Sequence, residues 1–198
     1  MNSKSKSLLA LVLTIAIATT GCSTQWINIA LQDLPVLTQM ALNIATLAAT
    51  LASGNQANTA DVAVIQNISA QASRDLNLLQ TLYNEYKANP SVSTRQKIQN
   101  VISDLNQNLP ALLEAAHISS ATLTARVTAA VNLILTTINS FASLIPQSTI
   151  PQARPATSQK ATVSLPRPKD LKRQWNQQVC VPTGDAGFDQ ALTVCSIK

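Results

Sequence analysis

Residues 121–146 read ATLTARVTAAVNLILTTINSFASLIP, and the fold turns on how they are read. Leu123, Val127, Ala130, Ile134, Ile138, Phe141 and Ile145 recur at spacings of three and four, with Thr128, Asn132, Thr136, Asn139 and Ser143 opposite them. That is the period of a helix with one apolar stripe. Val127 to Ala153 is also a 27-residue window without a charge, and Leu34 to Ala60 is a second one, so a bilayer-crossing helix has to be weighed. Lipid on all sides would strand the Asn, Thr and Ser of the polar face away from water. The stripe therefore reads as the core face of a helix inside a helical body.

Three more segments extend the pattern. Leu37, Met40, Ile44, Leu47 and Leu51 form a stripe against Gln39, Asn43, Thr46, Thr50 and Ser53, and Gly54 stops it. From about Ala60 to Ala88, with Thr59 as the expected N-cap, Ile65, Ile68, Ala72, Leu79, Leu82 and Tyr86 share one face, widened by Leu76 and Tyr83. Asn89-Pro90 ends that helix. From near Ser93, Ile98, Val101, Ile102, Leu105, Leu109, Leu112 and Ala116 line up, and Pro110 is expected to kink the helix near Asn106 because it removes an amide donor. Four such segments with short connections predict an all-α, up-down four-helix bundle over residues 22–145. Leu47, Leu79, Leu105 and Ile134 are expected in its core.

Composition excludes several kinds of chemistry. The 198 residues include one histidine, nine carboxylates and four glycines, with 12% charged and 46% hydrophobic residues. A Gly-rich nucleotide loop, a His-based metal site and a carboxylate cluster all lack their raw material. His117, with Glu114 three residues before it, has no nucleophile placed beside it and suits a helix C-terminus as a cation. Asp185 and Asp189 around Gly187 lack the spacing of a calcium loop and read as turn residues. No catalytic residue, metal or cofactor is expected.

The N-terminus says where such a body would live. Lys4 and Lys6 precede an eleven-residue run, Leu8 to Ala18, that is apolar except for Thr14, and Thr19, Thr20 and Gly21 lead into Cys22. This is the order of a secretory signal, and the run is too short to span a bilayer, which takes about 20 apolar residues. Gly21-Cys22 after small residues resembles the lipobox of bacterial lipoproteins, with Thr19 where that family usually has Leu. The resemblance covers residues 1–24 and implies removal of residues 1–21 as a signal peptide and lipid attachment at Cys22. Ala16-Ile17-Ala18 leaves ordinary cleavage after Ala18 as the alternative. Two acyl chains suffice for stable anchoring without a spanning helix. Ser23 and Thr24 replace the aspartate linked to inner-membrane retention, which favours the outer membrane facing the periplasm. Residues 25–35 would join anchor to bundle, with Trp26 either at the headgroup level or capping the bundle core.

Beyond Pro146 the composition changes. Residues 146–173 read as a Pro-rich basic linker, with Pro146, Pro151, Pro155, Pro166 and Pro168 and no apolar period. Residues 22–145 carry five Lys/Arg against six Asp/Glu, and residues 146–198 seven against three. Arg167, Lys169, Lys172 and Arg173 form a patch suited to lipid phosphates or another anionic envelope polymer. It lacks interleaved aromatics, so nucleic acid is not an expected partner. Residues 174–198 hold Cys180 and Cys195, fourteen residues apart in the intervening chain. In an oxidising compartment, with Cys22 lipidated, these two are expected to pair as a structural disulfide. A short hairpin around Pro182-Thr183-Gly184-Asp185, touching the bundle little, is the expected shape of this tip.

The function class that accounts for these parts is a membrane-anchored cell-envelope lipoprotein with a structural or protein-interaction role. The alternatives are a membrane-inserting helical protein of the holin or toxin kind, an enzyme of unrecognised fold, and a small-ligand carrier.

Overall fold

The computed structural model describes residues 25–53, 58–115, 117–145, 165–182, 184, 186–193 and 195–198. The expected signal peptide, Cys22 and most of the Pro-rich linker lie outside the described residues.

Six helices are present among the described residues: α1 (Gln25–Ser53), α2 (Thr59–Ala88), α3 (Val92–Ala115), α4 (Ala121–Ala142), α5 (Pro168–Gln178) and α6 (Ala186–Leu192). The first four form the expected bundle. α1 packs on α2 and α4, and α3 packs on the same two helices, closing a ring around one core. The direction of the chain alternates: Trp26 meets Tyr83 edge to face at 5.5 Å, and Ser69 Oγ donates to the Ala41 carbonyl. Leu47, Leu79, Leu105 and Ile134 are all buried, each contributing about 1.5 to 3 kcal/mol through apolar surface removed from water.

α1 is longer than its sequence stripe suggests. It starts at Gln25 and runs through Pro35, so residues 25–35 are helix rather than a connector. Pro35 costs the helix one amide donor. Burial offsets that cost, because Trp26, Ile27, Ala30 and Leu34 extend the Leu37 stripe at the same spacing and are all buried. Trp26 thereby belongs to the bundle core.

Local chemistry fixes the ends. Asn58, not Thr59, caps α2, its side chain accepting from the Asp61 amide at 2.8 Å. Asp61 in turn accepts from the Ser119 hydroxyl at 2.7 Å and the Ser119 amide at 3.1 Å, tying the start of α2 to the connection between α3 and α4. At the other end, Ser91 Oγ accepts from the Thr94 amide at the start of α3, and Thr94 Oγ1 donates to Glu85 of α2 at 2.6 Å. Ser120 caps α4. α3 is a single helix with Pro110 inside it. In the last turn of α4, Asn139 exchanges amide hydrogen bonds of 2.8 and 2.9 Å with Asn106 of α3.

The C-terminal residues depart from expectation. Where a hairpin was expected, the structure has α5 and α6, and the expected linker boundary between residues 173 and 174 falls inside α5. Leu171, Trp175 and Val179 repeat every four residues, and dividing the chain at residue 173 cuts that apolar stripe in two. The segment does not stand apart from the bundle either: α5 lies against α1 and α4, and α6 lies against α1. Leu171, Trp175, Val179, Cys180, Leu192 and Cys195 are continuous with the bundle core. Cys180 and Cys195 form a disulfide with Cα atoms 5.9 Å apart.

Candidate functional site

The most chemically distinctive place among the described residues is the seam where the C-terminal segment closes over α1 and α4. Each of these two helices carries one charge, Asp33 on α1 and Arg126 on α4, and both face this segment.

Arg126 reaches out from the second turn of α4. Its Nη1 donates to the carbonyl of Val179 at 2.6 Å and its Nη2 to that of Val181, also at 2.6 Å. The planar guanidinium thus satisfies carbonyls that α5 leaves open as it ends. Burial lowers the Arg126 pKa from its ordinary value, and the carboxylate of Asp189 acts against that fall. Trp175 is fully buried, and its indole N–H donates to the Cys195 carbonyl at 2.9 Å. Asn43 of α1 donates to the same carbonyl at 3.4 Å. The disulfide half-turn, the indole and α1 thus meet at one oxygen. Asn176 adds a reciprocal pair with the backbone of Ile197.

Asp33 is different. It is fully buried, and neither carboxylate oxygen has a hydrogen-bond partner among the described residues. Desolvation, with a smaller push from the nearby Asp170 of α5, raises its pKa to about 7. The carboxyl therefore keeps its proton in the fold over most of the acidic range. Tyr83 Oη is likewise buried and unpartnered, and burial pushes its pKa up. Sequence reading passed over Asp33 because it counted carboxylates by number and spacing. Its signal was position, since Asp33 stands three residues after Ala30 and four before Leu37, on the buried side of the helix.

The expected basic patch is brought together on the outward side of α5. Arg167 and Lys169 are exposed, Arg173 pairs with Asp170 at 3.0 Å, and Lys172 Nζ donates to the backbone oxygen of Lys198 at 2.7 Å. Leu171 and Trp175 face the other way, into the core. Gly184, at φ +89°, takes the left-handed conformation that glycine adopts without strain, and its amide donates to Asp189 at 3.0 Å. Asp189 acts here as a turn residue.

Other features offer little chemistry. A cleft of about 370 Å³ between α2 and α3 is lined by Asn67, Gln71, Asn108, Ala111 and Leu112, which include amides and apolar groups but no titratable side chain. His117 is exposed, beyond the end of α3 and with φ 43°, so it does not share a helical face with Glu114. No group of three or more metal-ligating side chains occurs among the described residues. Comparison of the chain with protein-family models, curated proteins and solved structures finds no match.

Proposed function

We propose that this protein is a lipid-anchored component of a bacterial cell envelope, acylated at Cys22, whose helical body has a structural or protein-interaction role rather than a catalytic one. The observation that carries the reading is the run from Lys4 to Cys22: two cations, an apolar stretch too short to span, small residues and a cysteine. Two structural facts support it. The Cys180–Cys195 disulfide suits an oxidising compartment. Trp26, only four residues after Cys22, already sits in the core, so the tether between lipid and body is at most ~14 Å long. Such a body rests directly on its membrane, with the outer membrane facing the periplasm as the proposed site. Partners on this reading are the bilayer through Cys22 and a second envelope component, protein or anionic polymer.

The insertion alternative drew on the charge-free windows Leu34 to Ala60 and Val127 to Ala153, which cover most of α1 and α4. α4 is long and apolar enough to cross a membrane, yet Asn132, Thr136, Asn139 and Ser143 are exposed along one side while its apolar stripe is buried. The C-terminal segment covers the same two helices, which accounts for their low charge without a bilayer.

Metabolic labelling with a palmitate analogue tests the reading. The wild-type protein is expected to take the tag, and Cys22→Ala to lose it and accumulate as an uncleaved precursor. An untagged wild type beginning at Thr19 would overturn the lipid anchor.

A further inference from the structure

The two ends of the bundle differ in charge. At one end, the turn 89–91 between α2 and α3 is flanked by Lys87, Arg95 and Lys97, and Val92 projects from it with 71% of its surface exposed. The carboxylate there, Glu85, accepts a hydrogen bond from Thr94. The opposite end carries Asp61 and Glu114, and Arg126 there is bound to the carbonyls of Val179 and Val181. The Trp26–Tyr83 contact fixes which end lies nearest the N-terminus of α1, and it is the cationic one.

The geometry points to the α2–α3 turn as a surface that seats the bundle on anionic lipid headgroups, with the exposed Lys87 and Lys97 over the phosphates and Val92 among them. This inference rests on the proposed acylation of Cys22, which brings that end within a few residues of the bilayer. Each cation near an anionic membrane surface strengthens the contact by roughly fivefold. An exposed apolar residue at the centre of a basic turn suits the boundary between headgroup and acyl chain. The other basic group, on α5, is set higher. That helix packs along α1 and α4, and its Asp170 acts on Asp33, eight residues into α1. Lys169 and Lys172 therefore flank the body rather than form its base.

The test uses the acylated protein on vesicles of phosphatidylcholine mixed with phosphatidylglycerol. A membrane-impermeant amine reagent is applied and each lysine is read by mass spectrometry. Labelling of Lys87 and Lys97 is expected to slow about fivefold or more relative to detergent-solubilised protein, with Lys169 little changed, and high salt should restore it. A Val92→Trp variant gives a second reading, since headgroup-level quenchers should dim its added emission and Lys87→Glu with Lys97→Glu should relieve the quenching. Equal labelling of Lys87 and Lys169 in a protein that carries the acyl tag would overturn the seating surface and leave the anchor standing. Equal protection on pure phosphatidylcholine would overturn its dependence on anionic lipid, and protection centred on Lys169 and Lys172 would make the α5 flank the contact. An absent acyl tag would remove both readings together.

Discussion

Helices α1 and α4 carry one charged residue each, whereas α2 and α3 together carry nine. All four are bundle helices with an apolar stripe, so the stripe alone does not explain the contrast. What differs is the number of covered sides. α2 and α3 meet neighbours on the bundle side and water on the other, and their outer faces are free to carry Arg74, Asp75, Lys97 and Asp104. α1 and α4 are covered a second time by α5, and α1 by α6 as well. Leu133, two turns after Arg126 on the same side of α4, is buried. In α1 and α4 a long helix with a single charge is thus a helix with two covered faces, and burial by protein suffices to produce it.

Three experiments press on that contrast. The largest effect is expected at Trp175, where truncation to Ala should cost ~3 to 5 kcal/mol in denaturant unfolding, as for a buried aromatic in a packed core. Leu78→Ala on the outer side of α2, where the side chain is 48% exposed, should change stability by only ~0.5 kcal/mol or less. Similar small costs for both would mean that the C-terminal segment is not part of the core.

Asp33 should give the next effect, and it depends on pH. Unfolded, the carboxyl loses its proton near its ordinary value of 3.8; folded, it holds it to about pH 7. The folded state thus binds the extra proton between those values, and stability falls as pH rises through the window, by up to ~4 kcal/mol. Asp33→Asn has no proton to lose, so its stability relative to wild type should be much higher near pH 8 than near pH 4. A constant difference across that range would show that the carboxyl is not desolvated beneath α5.

Loss of the disulfide is the third. Cys180→Ser with Cys195→Ser opens a loop of fifteen residues and should cost ~3 kcal/mol. Since Cys180, Cys195 and Trp175 share the bundle core, the melting of the whole helical body is expected to fall, measured by far-ultraviolet circular dichroism. An unchanged bundle melt, with only residues 174–198 loosened, would restore an independent tip and break the double-cover account of α1 and α4.

The bundle was legible in the sequence because its information is periodic: Ile65, Ile68, Ala72 and Leu79, or Leu123, Val127 and Ile134, point one way whatever lies beyond them. The C-terminal closure was harder to read because its evidence is spread across distant residues. Leu171, Trp175 and Val179 form a stripe of only three, interrupted by Lys172, Arg173 and Gln174, and Pro166 and Pro168 suggest a linker when Pro168 in fact opens a helix, where a missing amide costs nothing. Asp33 and Arg126 look like ordinary surface charges until α5 is placed over them. Pro35 locally disfavours a continuous α1, and the burial of Trp26, Ile27 and Ala30 outweighs it. Reading the uncharged windows as a demand for a second cover, rather than as a choice between core and bilayer, would have pointed to residues 168–195.

The paired amides of Asn106 and Asn139 bear on a different question, that of alignment. α3 and α4 present rows of Leu, Ile and Val that interlock nearly as well after a slide of one helical turn, about 5.4 Å. The two amides meet only at one setting, and at any other each would have to find water or remain unmatched. Being solvent-accessible, the pair adds little strength. It acts as an alignment mark between two otherwise repetitive surfaces, as a single Asn does in a coiled-coil seam. By fixing how far α4 extends past α3, it also sets the height at which Arg126 meets the carbonyls of Val179 and Val181.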